Sequence, residues 1–389
     1  MTFEFATAGR LLFGPGVLAQ VPAALVGWKI QRVLLVTGRD PARAAPFAAR
    51  LEEAGIAVTT FAVAAEPTVE LARAGVGAVR EAGATAVVAY GGGSALDAGK
   101  AIAVLATNGG EPLQFLEVVG QGRPLTEAPL PLVAIPTTAG TGSEVTKNAV
   151  LTVSDAGVKA SLRSPSMFPR LAAVDPDLLA GLPRAVIASS GLDALSQVIE
   201  PFLSARANPL SDALAREGIR RSAGALRRAH AKGLGEDAAA REDLAITSVC
   251  GGLCLANAGL GAVHGFAAPA GGMLGAPHGA ICAALLPPVL AVNLRALRAR
   301  APHHPVLPRF QELAALLTGR PSADVSGEDA IAFVEALCRE LQVPGLGSHG
   351  LTAAQLPTLI AHAREASSMR GNPIVLTDTE LLEIAERAL

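Results

Sequence analysis

The stretch Ala86-Val87-Val88-Ala89-Tyr90-Gly91-Gly92-Gly93-Ser94-Ala95-Leu96-Asp97 decides the fold. Its first five residues form an apolar run of strand length, and a helical spacing of apolar positions resumes after the glycines and continues to about Thr107. Glycines between a strand and a helix let the backbone approach a ligand closely. They do so at a helix N-terminus, whose free N–H groups and partial positive charge favour an anion. A phosphate is the usual guest. Ser94 followed three residues later by Asp97 also reads as a capping box, and the two readings are compatible. The loop is not the G-x-G-x-x-G fingerprint, which belongs after the first strand, where this chain has Gly38-Arg39-Asp40-Pro41.

Upstream, Arg32–Thr37 is a short apolar run ending at Gly38, Pro41–Ala54 has helical spacing, Ile56–Phe61 is β-rich, and Val69–Ala82 is a second helix. Downstream, Leu132–Ile135 is a further strand closed by Pro136. Continuous apolar strands alternating with helices predict a parallel sheet covered on both faces. After the last of these strands comes Pro136-Thr137-Thr138-Ala139-Gly140-Thr141-Gly142-Ser143-Glu144, rich in hydroxyls and glycine. Two such loops outside the carboxyl ends of one sheet point to a dinucleotide. From Pro183 onward the spacing is helical over 183–204, 209–230, 237–257, 260–275, 278–300, 308–318, 327–342, 352–368 and 378–388. The expected architecture is an α/β dinucleotide-binding domain with a parallel sheet over 1–180 and an all-helical domain over 181–389, with the working cleft between them.

Composition narrows the class. At roughly 150 residues per domain, 389 residues suit two domains. Half the residues are apolar, 17% are charged and the mean hydropathy is +0.41, which excludes a disordered chain. Lys+Arg 32 against Asp+Glu 34 leaves a net charge of -2, so nothing advertises nucleic-acid or membrane-surface binding. The opening MTFEFATAGRLLFG lacks a basic segment before an apolar core, so no signal peptide is expected. The apolar runs are strand-sized or broken by Pro or charge, so no membrane span of ~20 residues is expected either. The cysteines Cys250, Cys254, Cys282 and Cys338 contain no C-x-x-C pair, and Cys250 and Cys254, one helical turn apart, are expected to pack as buried thiols. A soluble, cytoplasmic protein is the expectation.

GGGSALDAGK and PTTAGTGSEVT closely resemble the two cofactor loops of the iron-containing (group III) alcohol dehydrogenase family. The resemblance continues through Lys159, Asp175-Pro176-Asp177-Leu178, Leu182-Pro183, Gly191-Leu192-Asp193-Ala194-Leu195 and His264 to Gly279, and weakly at Asn372-Pro373. It implies a dehydroquinate synthase-like architecture, a nicotinamide cofactor, a divalent metal and a homodimer. It places Gly92, Gly93 and Ser94 at the pyrophosphate and Thr137, Thr138 and Thr141 at phosphate, ribose or nicotinamide amide. It further places Asp97, Lys159 and Leu178 along the cofactor cleft.

Asp193 and Gln197 lie four apart in a helical stretch and share a face. With His264 and His278, each at the start of a helix-like segment, they could surround Fe²⁺ or Zn²⁺, although a lone histidine at a helix start is more often a cap or a satisfied core residue. The resemblance favours Asp193, His264 and His278 as the metal-binding and catalytic group. Two departures stand against it. Gln197 replaces the family's usual metal-binding histidine, and Ala268 replaces a second histidine one turn after His264. The other histidines, at 230, 303, 304, 349 and 362, are expected to be structural or solvated. Gly38-Arg39 at the end of the first strand, where NAD-restricted relatives commonly carry aspartate, leans toward acceptance of NADP(H) as well as NAD(H). The expected activity is metal-assisted hydride transfer between a small alcohol and its carbonyl compound. A metal-free oxo-acid reductase resembling maleylacetate reductase would keep its activity under chelation. A lyase resembling 3-dehydroquinate synthase would produce no net NADH.

Overall fold

A computed structural model describes residues 2–389; Met1, the first residue of the N-terminal stretch, lies outside them. The chain divides into two compact units, one of Thr7–Thr138 with Gly142–Leu179, the other of Ala180–Leu389 with Ala139–Thr141 and the residues up to Ala6.

The first unit comprises, in chain order, β1 (Leu11–Phe13), α1 (Val21–Gly27), β2 (Arg32–Thr37), α2 (Ala45–Glu53), β3 (Ala57–Ala62), α3 (Val69–Ala82), β4 (Ala86–Gly91), α4 (Gly93–Asn108), β5 (Leu132–Pro136), β6 (Asn148–Val153), β7 (Val158–Arg163) and β8 (Leu171–Val174). Six strands form one sheet in the order β1-β8-β5-β4-β2-β3, every pairing parallel. Period-two alternation explains why the central strands read as unbroken apolar runs. Val33, Leu35, Val88, Tyr90, Val133 and Ile135 face a core that includes Leu25 of α1 and Phe47 and Leu51 of α2. Their alternates Leu34, Val36, Val87, Ala89, Leu132 and Ala134 face Val79 of α3 and Leu96 and Ile102 of α4. The edge strand β3 is largely exposed, as its threonines suggest, and occupies Ala57–Ala62 rather than 56–61. A turn of 3₁₀ helix, Pro41–Ala44, precedes α2 in the segment expected to be one helix. Three features were not expected: the short strands β1 and β8, and the antiparallel β6–β7 hairpin.

The second unit is helical: α5 (Arg184–Leu203), α6 (Pro209–Lys232), α7 (Ala238–Ala258), α8 (Ala262–Leu274), α9 (His278–Arg300), α10 (Leu307–Thr318), α11 (Gly327–Glu340), α12 (Leu356–Glu365) and α13 (Asp378–Arg387). Helix α5 is buried along 191–203 and packs against α6, α7 and α9. Small residues set the closeness of these packings. A Cβ on Gly191 would lie 2.2 Å from Leu226 of α6, and one on Gly279 would lie 2.3 Å from the Ser189 carbonyl oxygen. Gly279 thereby brings the start of α9 onto the backbone of α5 just before Asp193. One expectation needs correction: α9 is long and apolar enough to cross a membrane, with a window of mean hydropathy 1.8. Of that window 72% is buried within the protein, so its apolar surface is core.

Candidate active site

Two glycine-rich loops leave adjacent strands of the first unit's sheet. Gly91 pairs with Pro136 at the ends of β4 and β5, and Thr37, just before Gly38, pairs with Tyr90. Because β3 lies on one side of β2 and β4 on the other, Gly38 and Gly91–Gly93 flank the point where strand order reverses. The capping box expected at Ser94 is absent. The N-cap of α4 is Gly92, with no side-chain cap hydrogen bond, so the helix begins one residue before Ser94. The first-turn N–H groups thus lack the side-chain acceptor that a capping serine would supply, which suits a phosphate. A Cβ on Gly92 would lie 3.3 Å from Thr138 Oγ1, so the Gly92 backbone lies close against the Thr138 side chain of the second loop.

Asp97, instead of completing a cap, ties the second loop to α4. Its carboxylate accepts from Ser143 Oγ at 2.6 Å and from the Val150 N–H at 2.9 Å. Lys100, one turn on and fully buried, donates to Ser143 Oγ (2.7 Å), Thr146 Oγ1 (2.8 Å) and the Asn148 carbonyl (2.9 Å). Burial lowers the Lys100 ammonium to about 8, against the opposing pull of Asp97 and Glu144, and raises the Glu144 carboxyl to about 7. Removing one partner from such a buried charged group costs about 3–5 kcal/mol. Lys100→Met is therefore expected to lower the melting temperature clearly and to weaken cofactor binding; an unchanged melting curve would contradict this role. Lys159 lies on β7 with its ammonium 3.5 Å from a Glu66 carboxylate oxygen. Leu178 is partly buried in a 3₁₀ turn after β8, packed against the sheet core.

In the second unit, Asp193 and Gln197 project from α5, His264 from the first turn of α8, and His278 opens α9. The structure brings Asp193, His264 and His278 together and adds a fourth donor that the sequence reading did not single out, Cys282. His264 Nε2 lies 3.3 Å and His278 Nε2 3.8 Å from Asp193 Oδ1, and the two rings are tilted with centroids 5.4 Å apart. Cys282 Sγ is 3.6 Å from His278 Nε2 and 3.7 Å from His264 Nε2. Cys282 follows His278 by four residues, one turn of α9, and that spacing is the signal from which it could have been found.

Glu200 is a second residue the sequence reading passed over. It sits seven residues after Asp193, two turns along the same face of α5. His264 Nδ1 donates to Glu200 Oε2 at 2.6 Å, and the Val263 N–H donates to Glu200 Oε1 at 2.6 Å. Gly261 leaves room for this carboxylate, since a Cβ there would lie 2.8 Å from Glu200 Oε1. The Asn372 of the weak Asn-Pro match steadies the same helix start, its Oδ1 accepting from the Ala262 N–H and its Nδ2 donating to Asn293 Oδ1.

With the Nδ1 proton committed to Glu200, Nε2 of a neutral His264 presents a lone pair to the cluster. Asp193 Oδ1 is buried and has no hydrogen-bond partner, although Nε2 is 3.3 Å away. Asp193 Oδ1 and the Nε2 atoms of both imidazoles face one another, an arrangement that protons on the rings or one bound cation would join. The electrostatics agree. Burial pushes the Asp193 carboxyl up, but His278 and His264 more than offset it and hold it below its ordinary range. Burial likewise opposes charge on the imidazoles, yet Cys282, Asp193 and Glu200 keep His264 well above its usual value, and Cys282 and Asp193 raise His278. The group attracts positive charge, as a proton on each ring or as one divalent ion among the donors.

Gln197 differs from its expected role in one observable way: its Nε2 donates to the Gly140 carbonyl at 2.8 Å. That bond is possible because Gly140 presses its backbone on α5, where a Cβ would lie 2.9 Å from the Ser190 Cβ. Gln197 Oε1 is buried and unpartnered, so a carboxamide oxygen remains available. Ala268, half-buried one turn after His264, offers no group that could carry a proton.

Comparison with known proteins agrees with this architecture. Residues 8–176 match the iron-containing alcohol dehydrogenase profile, and residues 187–389 match the C-terminal profile of the Fe-containing alcohol dehydrogenase family. The chain is 34% identical to the 1,3-propanediol dehydrogenase of Klebsiella pneumoniae over 400 residues, covering 99% of this chain and 98% of that one. A crystal structure of 1,3-propanediol oxidoreductase superposes with a TM-score of 0.91 at 33% identity, with both chains fully covered. The structure of sulfoacetaldehyde reductase from Bifidobacterium kashiwanohense in complex with NAD⁺ is similar at a TM-score of 0.86 and 28% identity, covering 100% of this chain and 99% of that one. The chain belongs to the iron-containing alcohol dehydrogenase family and is an oxidoreductase of the alcohol dehydrogenase type, a class that uses NAD(P) and a divalent metal.

Proposed function

We propose that the protein interconverts a small alcohol and its aldehyde or ketone, using NAD(P) and a divalent ion held by Asp193, His264 and His278. When bound, the nicotinamide exchanges hydride at C4 and the metal serves as a Lewis acid toward the substrate oxygen. The protein's own residues prepare both. Gly92, Gly93 and Ser94 offer backbone N–H groups to the pyrophosphate, and Thr137, Thr138 and Thr141 offer hydroxyls to phosphate, ribose or amide. Asp97 and Lys100 hold the second loop in place, while Lys159 and Leu178 complete the cofactor contacts. Glu200 fixes the tautomer and direction of the His264 ring. The observation that carries this reading is the buried, unpartnered Asp193 Oδ1 facing two imidazole nitrogens. A homodimer in the cytoplasm is the setting we assign.

The reading is tested by following nicotinamide absorbance with a panel of short alcohols and aldehydes, both cofactors, and Fe²⁺, Zn²⁺ or a chelator. Turnover that chelation abolishes and metal restores is expected; full activity in exhaustive chelator would overturn it.

We also infer that NADP(H) is accepted. A Cβ on Gly38 would meet open space, Arg39 Nε is engaged with the Ala64 carbonyl, and Asp40 accepts from the Ala42 N–H as the cap of its own turn. The one carboxylate beside this strand end, Asp40, thus spends an oxygen on capping its own turn. Gly38→Asp is expected to shift the kcat/KM ratio toward NAD(H) by about tenfold or more, the equivalent of one charge-assisted hydrogen bond. A wild-type protein that uses NADH well and ignores NADPH would remove the basis for this inference.

A further inference from the structure

The metal reading leaves one ligand position open, because Gln197 stands where an imidazole is usual. We propose that Cys282 fills it as a thiolate, giving an Asp-His-His-Cys donor set that selects Zn²⁺ over Fe²⁺. The inference rests on the metal reading above but concerns a residue that reading does not use.

Geometry is the first support. Metal bonds of ~2.0–2.1 Å to nitrogen or oxygen and ~2.3 Å to sulfur, arranged tetrahedrally, separate the donors by about 3.3 Å for an N–O edge and about 3.6 Å for an S–N edge. The corresponding separations here are 3.3 and 3.8 Å for the two N–O pairs and 3.6 and 3.7 Å for the two S–N pairs. All four donor atoms fall within 4.8 Å of one another.

Gln197 is the second support. Its Nε2 is tied to the Gly140 carbonyl, so the side chain is held by the loop, and a carboxamide oxygen is a weak donor beside a thiolate. The four-donor set is complete without it. Helix geometry is the third. His278 and Cys282 sit at i and i+4 on α9, the arrangement by which one helix face presents two ligands to one ion. Finally, the buried Asp193 Oδ1 faces both imidazole nitrogens, the mixed carboxylate and imidazole set that a divalent transition metal takes. Binding converts the thiol to a thiolate, with its proton released to solvent. A soft sulfur donor favours zinc over iron and sharpens the preference that the general affinity order already gives.

Cobalt(II) and zinc are the probes. Wild-type protein loaded with one equivalent of Co²⁺ should show a sulfur-to-cobalt charge-transfer band in the near ultraviolet. Cys282→Ser should still bind one cobalt but lose that band. Loaded from an equimolar mixture of Fe²⁺ and Zn²⁺ without oxygen, the wild type should hold zinc, and Cys282→Ser should lower the zinc-to-iron ratio by about tenfold or more. X-ray absorption on the wild-type zinc protein needs no variant and should find one sulfur neighbour at ~2.3 Å. One cobalt bound with no such band, or a zinc shell without sulfur, would overturn the thiolate ligand and leave the metal reading standing. A wild type that binds neither ion would overturn both.

Discussion

Asp193→Ala yields a folded protein that no longer retains its metal. Loss of a ligand is expected to exceed the 10–100-fold that outer-sphere partners cost, so affinity should fall by more than about 100-fold. The expectation follows from burial: Asp193 is 2% exposed, and its Oδ1 has no partner that could substitute. His264→Ala should behave alike. Glu200→Gln should fall between, by about 10–100-fold, because it keeps the ligands but loosens the His264 ring. Metal content after dialysis against a limiting chelator, measured beside far-ultraviolet circular dichroism, checks the series. Retention of the ion by a folded Asp193→Ala protein would contradict it.

The second large effect lies at the other loop. Gly93→Val should raise the Kd for NAD(P) by on the order of tenfold to a hundredfold or more, because one or two N–H bonds to a phosphate are lost at about 1.5–3 kcal/mol each. Gly93 is the first helical residue of α4, so the substitution costs the helix less than about 1 kcal/mol and the fold survives. Fluorescence titration with NADPH and NADH checks this, and wild-type affinity in the variant would show that the phosphate lies elsewhere. Metal binding by the helical unit should be unaffected.

The parts of the fold legible in the sequence are those whose burial writes a long signal. Strands β2, β4 and β5 are buried on both faces and read as unbroken apolar runs, and the helical half announces itself through period and punctuation. Strands β1 and β8 span three and four residues, too few for a period to register. In the β6–β7 hairpin, buried and partly exposed positions alternate through Lys159 and Ser161, polar residues that interrupt the apolar run of a buried strand. No cap forms at Ser94 because Gly92, a residue without a side chain, takes the N-cap position and leaves no chemical mark.

At the site, Asp193, His264 and His278 are legible through the family resemblance, because on spacing alone a histidine at a helix start reads as a cap or a core residue. Glu200 and Cys282 share helix faces with them, but one spacing is two turns long and the other ends in a residue that ordinarily packs as a small hydrophobe. The bond from Gln197 to Gly140 joins residues 57 positions apart through a backbone carbonyl, which no side-chain pattern encodes.

Isotope transfer tests the central claim most directly. The protein is incubated with NAD(P)⁺ and the best alcohol of the panel deuterated at its carbinol carbon, with and without prior chelation, and the recovered cofactor is weighed by mass spectrometry. One deuterium should appear on the nicotinamide ring per carbonyl product formed, at a rate that chelation abolishes and zinc restores. Label released to water, cofactor that stays unlabelled while product forms, or a transfer rate indifferent to chelation would contradict the account.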